Sequence, residues 1–288
     1  FAAAGVEVDT GEVGNEGGVY YLAMEYVHGQ DLRAILASAG SKGKRVPLDV
    51  ALAAVAGAAA GLEHAHDRRG SDGRPLNIVH RDVSPSNVMV GYDGSVKVLD
   101  FGIAKAAERT VETQSGMIKG KFAYMSPEQC VSHNVDRRTD VFALGVVLFE
   151  LVTGKRLFKR AGQYETYQAV MECAVPPPSS QLASLDAGVD ALVMKALAKD
   201  RERRYASAEA FGDAILRYLH QRNIYVGPGE LAGFMEATYG PELAEHGGRM
   251  RDLLAGSERR GSEADWDEEI SGDVVEPSII GDAPLADD

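Results

Sequence analysis

The stretch His80-Arg81-Asp82-Val83-Ser84-Pro85-Ser86-Asn87, with Asp100-Phe101-Gly102 beginning thirteen residues beyond its Asn, decides how this chain is read. The spacing suits the holding of a hydroxyl in line with metal-bound phosphates. An Asp carboxylate accepts the proton of an alcohol. An Asn and a second Asp offer hard oxygens of the kind that Mg²⁺ takes. Between the two motifs, Asn87–Val90 and Val96–Leu99 read as short strands joined by a turn at Tyr92-Asp93-Gly94.

Working outward, Val19–Val27 is a β-branched and aromatic run that reads as a strand entering a turn at His28-Gly29. Asp31–Ala39 reads as a short amphipathic helix stopped by Gly40, and Leu48–Asp67 as a long Ala-rich helix with Asp49 near its start. A Gly/Asp/Pro loop over 69–77 leads to a short strand at Ile78–Val79. Beyond a long loop at 100–128, helices are expected near 136–153, 163–173, 188–198 and 207–221. Two more are expected at about 229–238 and 241–255. His64 and His66 stand two apart on a helix and so point to different faces, which argues against a metal pair.

The two opening motifs resemble the catalytic and magnesium loops of protein kinases. The order of elements resembles the large lobe of that family over about residues 19–221. The implied fold class is α+β: a mostly helical large lobe with a hinge and only the last strands of the small lobe. The resemblance implies phosphoryl transfer from ATP, with Mg²⁺, to Ser/Thr hydroxyls of a protein substrate. Asp82 would be the base, with Asn87 and Asp100 the Mg²⁺ ligands. Met24-Glu25-Tyr26-Val27 resembles the hinge. There the backbones of Glu25 and Val27 would read the adenine edge, with Met24 as gatekeeper, Met89 beneath the base and Asp31 at the ribose. Gly120–Glu128 resembles the segment that closes the activation loop, its Glu128 matched to Arg204. Asp140 resembles the buried Asp that braces the catalytic loop. Arg81 would meet a phosphate on Thr110, Thr113 or Ser115.

The chain departs from the family pattern at several places. Serine/threonine kinases usually carry Lys two residues after the catalytic Asp, and here that residue is Ser84. They usually carry Thr after the Gly of the closing segment, and here it is Lys121. A charge-conserving exchange would let the Lys121 ammonium occupy the place vacated at Ser84, beside Asp82, on its flexible four-carbon stem. The Pro usual after Asp200 is replaced by Arg201. No Gly-x-Gly-x-x-Gly and no Val-Ala-x-Lys precede the catalytic loop, so the expectation is a fragment without the first part of the small lobe, weak or inactive alone. The long Gly70–Asn77 junction and the Val-Ser-Pro of the catalytic loop resemble bacterial serine/threonine kinases of the myxobacterial type. The rival reading is a pseudokinase-like interaction module; retention of Asp82, Asn87 and Asp100 together argues against it.

Composition bounds the rest. Of the formal net charge of −13, residues 257–288 carry eleven acids against Arg259 and Arg260, a net −9 that leaves −4 for residues 1–256. Such a tail reads as disordered. No basic stripe is present to displace counterions, which disfavours nucleic acid as a partner. Cys130 and Cys173 lie far apart without metal spacing and suit a reducing cytosol. The longest apolar runs, Val50–Leu62 and Val141–Val152, fall short of a membrane span. The expected layout is a small-lobe remnant with hinge strand (1–27), the large lobe (28–221), a helical extension (222–256) and an acidic tail (257–288).

Overall fold

One apolar helix organises the fold. In the computed structural model, which describes residues 13–16, 19–22, 24–101, 121–131 and 135–240, helix α2 (Leu48–His66) is rich in Ala and carries Asp49 in its first turn, where an anion suits the helix dipole. At 19 residues α2 is longer than the Val50–Leu62 run suggests, and its length and apolarity would allow a membrane crossing. Here it is a core helix instead, with Ala51, Leu52, Val55, Ala58 and Leu62 fully buried. It packs against α8 (Ala208–Gln221), α4 (Arg138–Thr153) and strand β5 (Val96–Val98). Small side chains let these neighbours approach closely.

Every residue of α4 from Thr139 to Thr153 is buried, including Asp140 and Glu150. The helix ends at Gly154 in the left-handed conformation, whose N–H returns to the Glu150 carbonyl. Helix α7 (Ala187–Ala196) crosses it at Gly145, where an added Cβ would stand 2.9 Å from Ala196 Cβ and 3.0 Å from Leu197 Cγ. Gly145→Ala should therefore overpack this crossing and cost about 1–3 kcal/mol in urea denaturation. A neutral result would mean that α7 moves freely.

Two small sheets precede and flank the helices. Strands β1 (Val13–Glu16) and β2 (Val19–Leu22) form an antiparallel hairpin with Glu16 opposite Val19. Strands β3 (Gly29–Asp31), β4 (Val88–Gly91) and β5 form an antiparallel sheet in the order β3-β4-β5. Its register sets Asp31 opposite Met89, and Met89 opposite Lys97. Directly opposite residues share a face. Val88 and Val90 of β4 turn inward and are buried, so Asp31, Met89 and Lys97 lie on the other face.

The sequence reading and the structure differ in places. Among the described residues no strand is assigned over Met24–His28, so the expected Val19–Val27 strand is shortened to Val19–Leu22. Ile78–Val79 forms no strand; it follows Asn77 at φ +49, a conformation that breaks an extended run. Asn87 closes a 3₁₀ turn (Pro85–Asn87) rather than opening β4, because Pro85 lacks the donor a ladder needs. Helix α1 (Leu32–Ser41) runs through Gly40 and ends at Lys42, ahead of Gly43 at φ +61. The region expected to be loop holds a 3₁₀ turn (Lys121–Tyr124) and helix α3 (Pro127–Val131). Helices α5 (Gln163–Glu172) and α9 over 228–240 lie close to expectation, whereas the short α6 (Pro178–Gln181), with Pro at its first turn, was not expected. The helix expected at 241–255 and the acidic tail lie outside the described residues. The chain divides into two units, Phe1–Thr238 and Tyr239–Asp288, and the elements above, up to Thr238 in α9, build the first.

Candidate active site

The loop from His80 to Asn87 is held from below by one buried carboxylate. Asp140 is fully buried at the start of α4. Its Oδ2 accepts from the His80 N–H at 2.9 Å, and its Oδ1 from the Arg81 N–H at 2.9 Å. His66, at the end of α2, donates Nε2–H to the same Oδ2 at 2.7 Å. Its Nδ1 makes no hydrogen bond, with Glu63 Oε2 at 3.8 Å. Two helices thus fix one short piece of backbone.

The His80 ring ties the two motifs together. Its Nδ1 accepts from the Asp82 N–H at 3.2 Å, so Nε2 carries the proton and donates to the Leu99 carbonyl at 2.8 Å. The Leu99 N–H in turn donates to the Asn87 carbonyl at 2.9 Å. Phe101 packs against the His80 ring, tilted to it by 44°, with centroids 4.6 Å apart. Asp82 and Asp100 are therefore placed by neighbouring backbone. The Asp82 N–H bonds the imidazole directly, and Asp100 follows the carbonyl that bonds its other nitrogen.

Asn87 completes the constellation. Its Nδ2 donates to the Asp82 carbonyl at 2.8 Å and reaches Asp82 Oδ2 at 3.5 Å. That fixes the amide so that Oδ1 is the side left for a cation. The Asp100 residue is exposed, and no hydrogen bond or ion pair engages its carboxylate among the described residues. Two oxygens of the kind Mg²⁺ prefers are thus available, which fits the expected ligand pair. No group of three or more His, Cys, Asp or Glu able to hold a metal occurs among the described residues, so phosphate or water oxygens would have to complete the shell. Arg81 and Asp100 adopt left-handed backbone, φ +63 and +57, unusual for residues with a Cβ.

Of the expected nucleotide-reading residues, Asp31 and Met89 lie on the sheet face described above, and Met24, Glu25 and Val27 lie in the segment that leads to β3. Met24 is half exposed and Val27 half buried. Glu25 forms an ion pair with Lys97, joining the hinge to β5. Asp31 is the N-cap of α1, one oxygen accepting from the Ala34 N–H at 2.6 Å. Met89 lies opposite it. Ser84 is half buried at the start of the 3₁₀ turn, its carbonyl accepting from the Asn87 N–H. The Lys121 side chain and the hydroxyls of Thr110, Thr113 and Ser115 lie outside what the structure describes, and so does the exchange expected with Ser84.

Glu128 and Arg204 meet as expected, in a two-pronged pair at 2.6 and 2.8 Å. Burial pushes the Glu128 carboxyl up, but the Arg204 hydrogen bonds and charge outweigh it and hold the group below the ordinary carboxylate range. The roles of four side chains, Gln129, Glu150, Tyr124 and Arg156, were not foreseen. Gln129 donates to the Arg81 carbonyl at 3.0 Å and accepts from the Ser126 N–H, linking the closing segment to the catalytic loop. Glu150 is buried, with Tyr124 donating to it at 2.8 Å and Arg156 paired to it at 2.7 Å. Burial first, then the Glu150 charge, pushes the Tyr124 hydroxyl up, so it stays a donor. The signal for Glu150 was a lone acid inside the apolar Val141–Val152 run, where a buried charge demands a partner. Both cysteines are free, and burial pushes the Cys130 thiol up to about 11, leaving it unreactive.

Comparison with known proteins agrees with this geometry. The family described as protein kinase domain matches residues 8–215. A protein named tyrosine-protein kinase MasK, from Myxococcus xanthus (strain DK1622), is 43% identical over 242 residues, covering 84% of this chain and 38% of that protein. A probable serine/threonine-protein kinase PknB from Bifidobacterium longum (strain NCC 2705) is 37% identical over 220 residues, 75% of this chain and 30% of its own length. Serine/threonine-protein kinase PknB of Mycobacterium leprae (strain TN) is 39% identical over 212 residues, 73% of this chain and 32% of that protein. The chain thus spans about a third of the length of these curated relatives.

Proposed function

The chain belongs to the protein kinase domain family, and on that premise we propose that it supplies the hinge and large lobe of an enzyme that transfers the terminal phosphoryl group of ATP to a hydroxyl of a protein substrate. The observation that carries this reading is the Asn87 amide, held by Asp82 so that its oxygen is left for a cation, on a backbone that bonds Leu99, the residue before Asp100. Bound Mg²⁺ would neutralise phosphate charge there. Asp82 orients the acceptor hydroxyl and takes its proton late, which an ordinary carboxylate does well. His80 fixes the distance between that base and Asp100. The second oxygen of Asp31 is left for a ribose hydroxyl, and Met89 forms the floor under the base.

Serine or threonine is the acceptor we favour, after the two relatives named PknB. The name of the 43%-identical relative favours tyrosine as a second reading. Phosphoamino-acid analysis of the full-length protein decides between them. Asp82→Asn in that protein should lower turnover by about 10²–10⁴-fold; unchanged turnover would remove Asp82 from the role of base, and no turnover in the unaltered full-length protein would leave only the interaction-module reading. Residues 1–288 contain no Gly-rich loop and no Val-Ala-x-Lys, so this chain alone should turn over little. The Lys121 ammonium serves in place of a Lys at position 84. Lys121→Thr should therefore lose activity that the double exchange Ser84→Lys with Lys121→Thr restores, and two equally dead variants would end that idea. We place the protein in the cytosol, on its cysteine usage.

A further inference from the structure

Helix α9 begins past the end of the family match at residue 215, yet it bears directly on the hairpin that joins Asn87 to Asp100, the two proposed metal ligands. That hairpin runs from Asn87 through β4 and β5 to Asp100, and its turn is Tyr92–Ser95. On one side the chain leaving the hinge holds the turn. The Tyr92 N–H donates to the His28 carbonyl at 3.0 Å, Gln30 donates to the Tyr92 hydroxyl at 2.9 Å, and the His28 and Tyr92 rings meet edge to face at 4.8 Å. On the other side stands the start of α9. Gly94 sits at φ +80, and a Cβ there would fall 1.8 Å from the Pro228 carbonyl oxygen. Only glycine meets both demands.

Ten residues further along α9, the Thr238 carbonyl accepts from Lys42 Nζ at 3.2 Å, at the far end of α1. With a rise of about 1.5 Å per residue, α9 spans the length of α1, from the hairpin turn to Lys42. Leu231 and Met235, one turn apart, are buried and seat it. The start of α1 is Asp31, opposite Met89.

We propose that residues 228–238 are a positioning brace. They lock the Tyr92–Ser95 turn against the hinge exit and hold α1 beside it, and so fix Asn87, Met89 and Asp31 relative to one another. The consequence for nucleotide binding rests on the kinase reading; the brace itself does not. The test is amide hydrogen exchange on the whole chain, comparing wild type with Leu231→Asp/Met235→Asp, which unseats α9. The Gly91 and Leu99 amides, bonded to the Ser95 and Asn87 carbonyls at 2.8 and 2.9 Å, should exchange at least about tenfold faster, while those of Val147 and Leu148 in α4 keep their protection. Unchanged hairpin amides, or equal loss throughout the lobe, would overturn the brace.

A second variant removes the ambiguity of a damaged helix. Asn tolerates a left-handed backbone, so Gly94→Asn adds chiefly the collision with Pro228. It should speed the same two amides, and combining it with Leu231→Asp/Met235→Asp should add little, since the wedge then has nothing to strike. Additive effects would overturn the proposal. Calorimetry with Mg·ADP gives the functional arm. Affinity should fall about tenfold in either variant, and an unaltered affinity with a loosened hairpin would overturn the positioning role. No Mg·ADP binding by wild type would count against the nucleotide site instead, leaving the exchange result to decide the brace.

Discussion

Asp140→Ala is expected to lower the unfolding free energy by about 3–5 kcal/mol, the range seen when one partner of a buried charged network is removed. The carboxylate serves three donors, His66 Nε2–H and the backbone N–H groups of His80 and Arg81, with no access to water. Alanine leaves all three unanswered, and each buried orphan costs about 1–3 kcal/mol. Asp140→Asn should fall between, because its carbonyl still accepts while its NH₂ faces an N–H. Urea denaturation followed by circular dichroism is the suitable readout, because the only tryptophan is Trp266 in the acidic tail. The same change should reduce turnover of the full-length protein beyond its loss of folded population. The two released N–H groups belong to the two residues before Asp82, the proposed base. A loss under about 1 kcal/mol would mean that the catalytic loop does not depend on α4.

Glu128→Ala should be comparably damaging. Arg204 is wholly buried and engages every donor: two on Glu128, the others on the carbonyls of Ala198, Arg138 and Lys199, with Phe142 beneath its plane at 4.8 Å. Removing the carboxylate strands a desolvated cation, at a cost of about 3–5 kcal/mol, whereas Glu128→Leu with Arg204→Met should be nearly neutral. The pair also sets an acid limit. Because the folded state holds the Glu128 carboxyl below its usual 4.5, the unfolded chain binds the proton more readily. The contribution is complete above pH 4.5 and disappears as the pH falls through the lower folded value. Stability measured from about pH 7 to 3 should therefore drop less steeply for the Leu/Met double variant than for wild type. Parallel curves would show that another carboxylate governs acid unfolding.

The site was legible because its chemistry is written locally. Asp82, Asn87 and Asp100 lie within about twenty residues, joined by a hairpin whose turn residues announce themselves. Glu128 with Arg204, and Asp140 with the loop, were reached through likeness to a family rather than through spacing, since 59 and 76 residues separate Arg81 from Asp140 and Glu128 from Arg204. Gln129 and the His80 tautomer were not legible. A neutral amide and an imidazole carry no sequence mark of which backbone carbonyl they serve. The shortening of the Val19–Val27 strand was also hidden, because β propensity records the pleated surface a side chain suits and not whether a neighbouring strand is there. Pro228 opposite Gly94 was out of reach for a third reason: the contact joins two residues far apart in the chain through backbone atoms alone.

Arg81 and Asp100 bring a different kind of consequence. Each holds a left-handed backbone that disfavours any residue with a side chain by about 1–2 kcal/mol. Glycine at either position would relax that strain and make the fold sturdier. A lineage selected for robustness alone would drift toward glycine there and lose the guanidinium and the carboxylate. Consensus-style thermostabilisation of this protein should accordingly spare these two positions, where durability and chemistry pull apart.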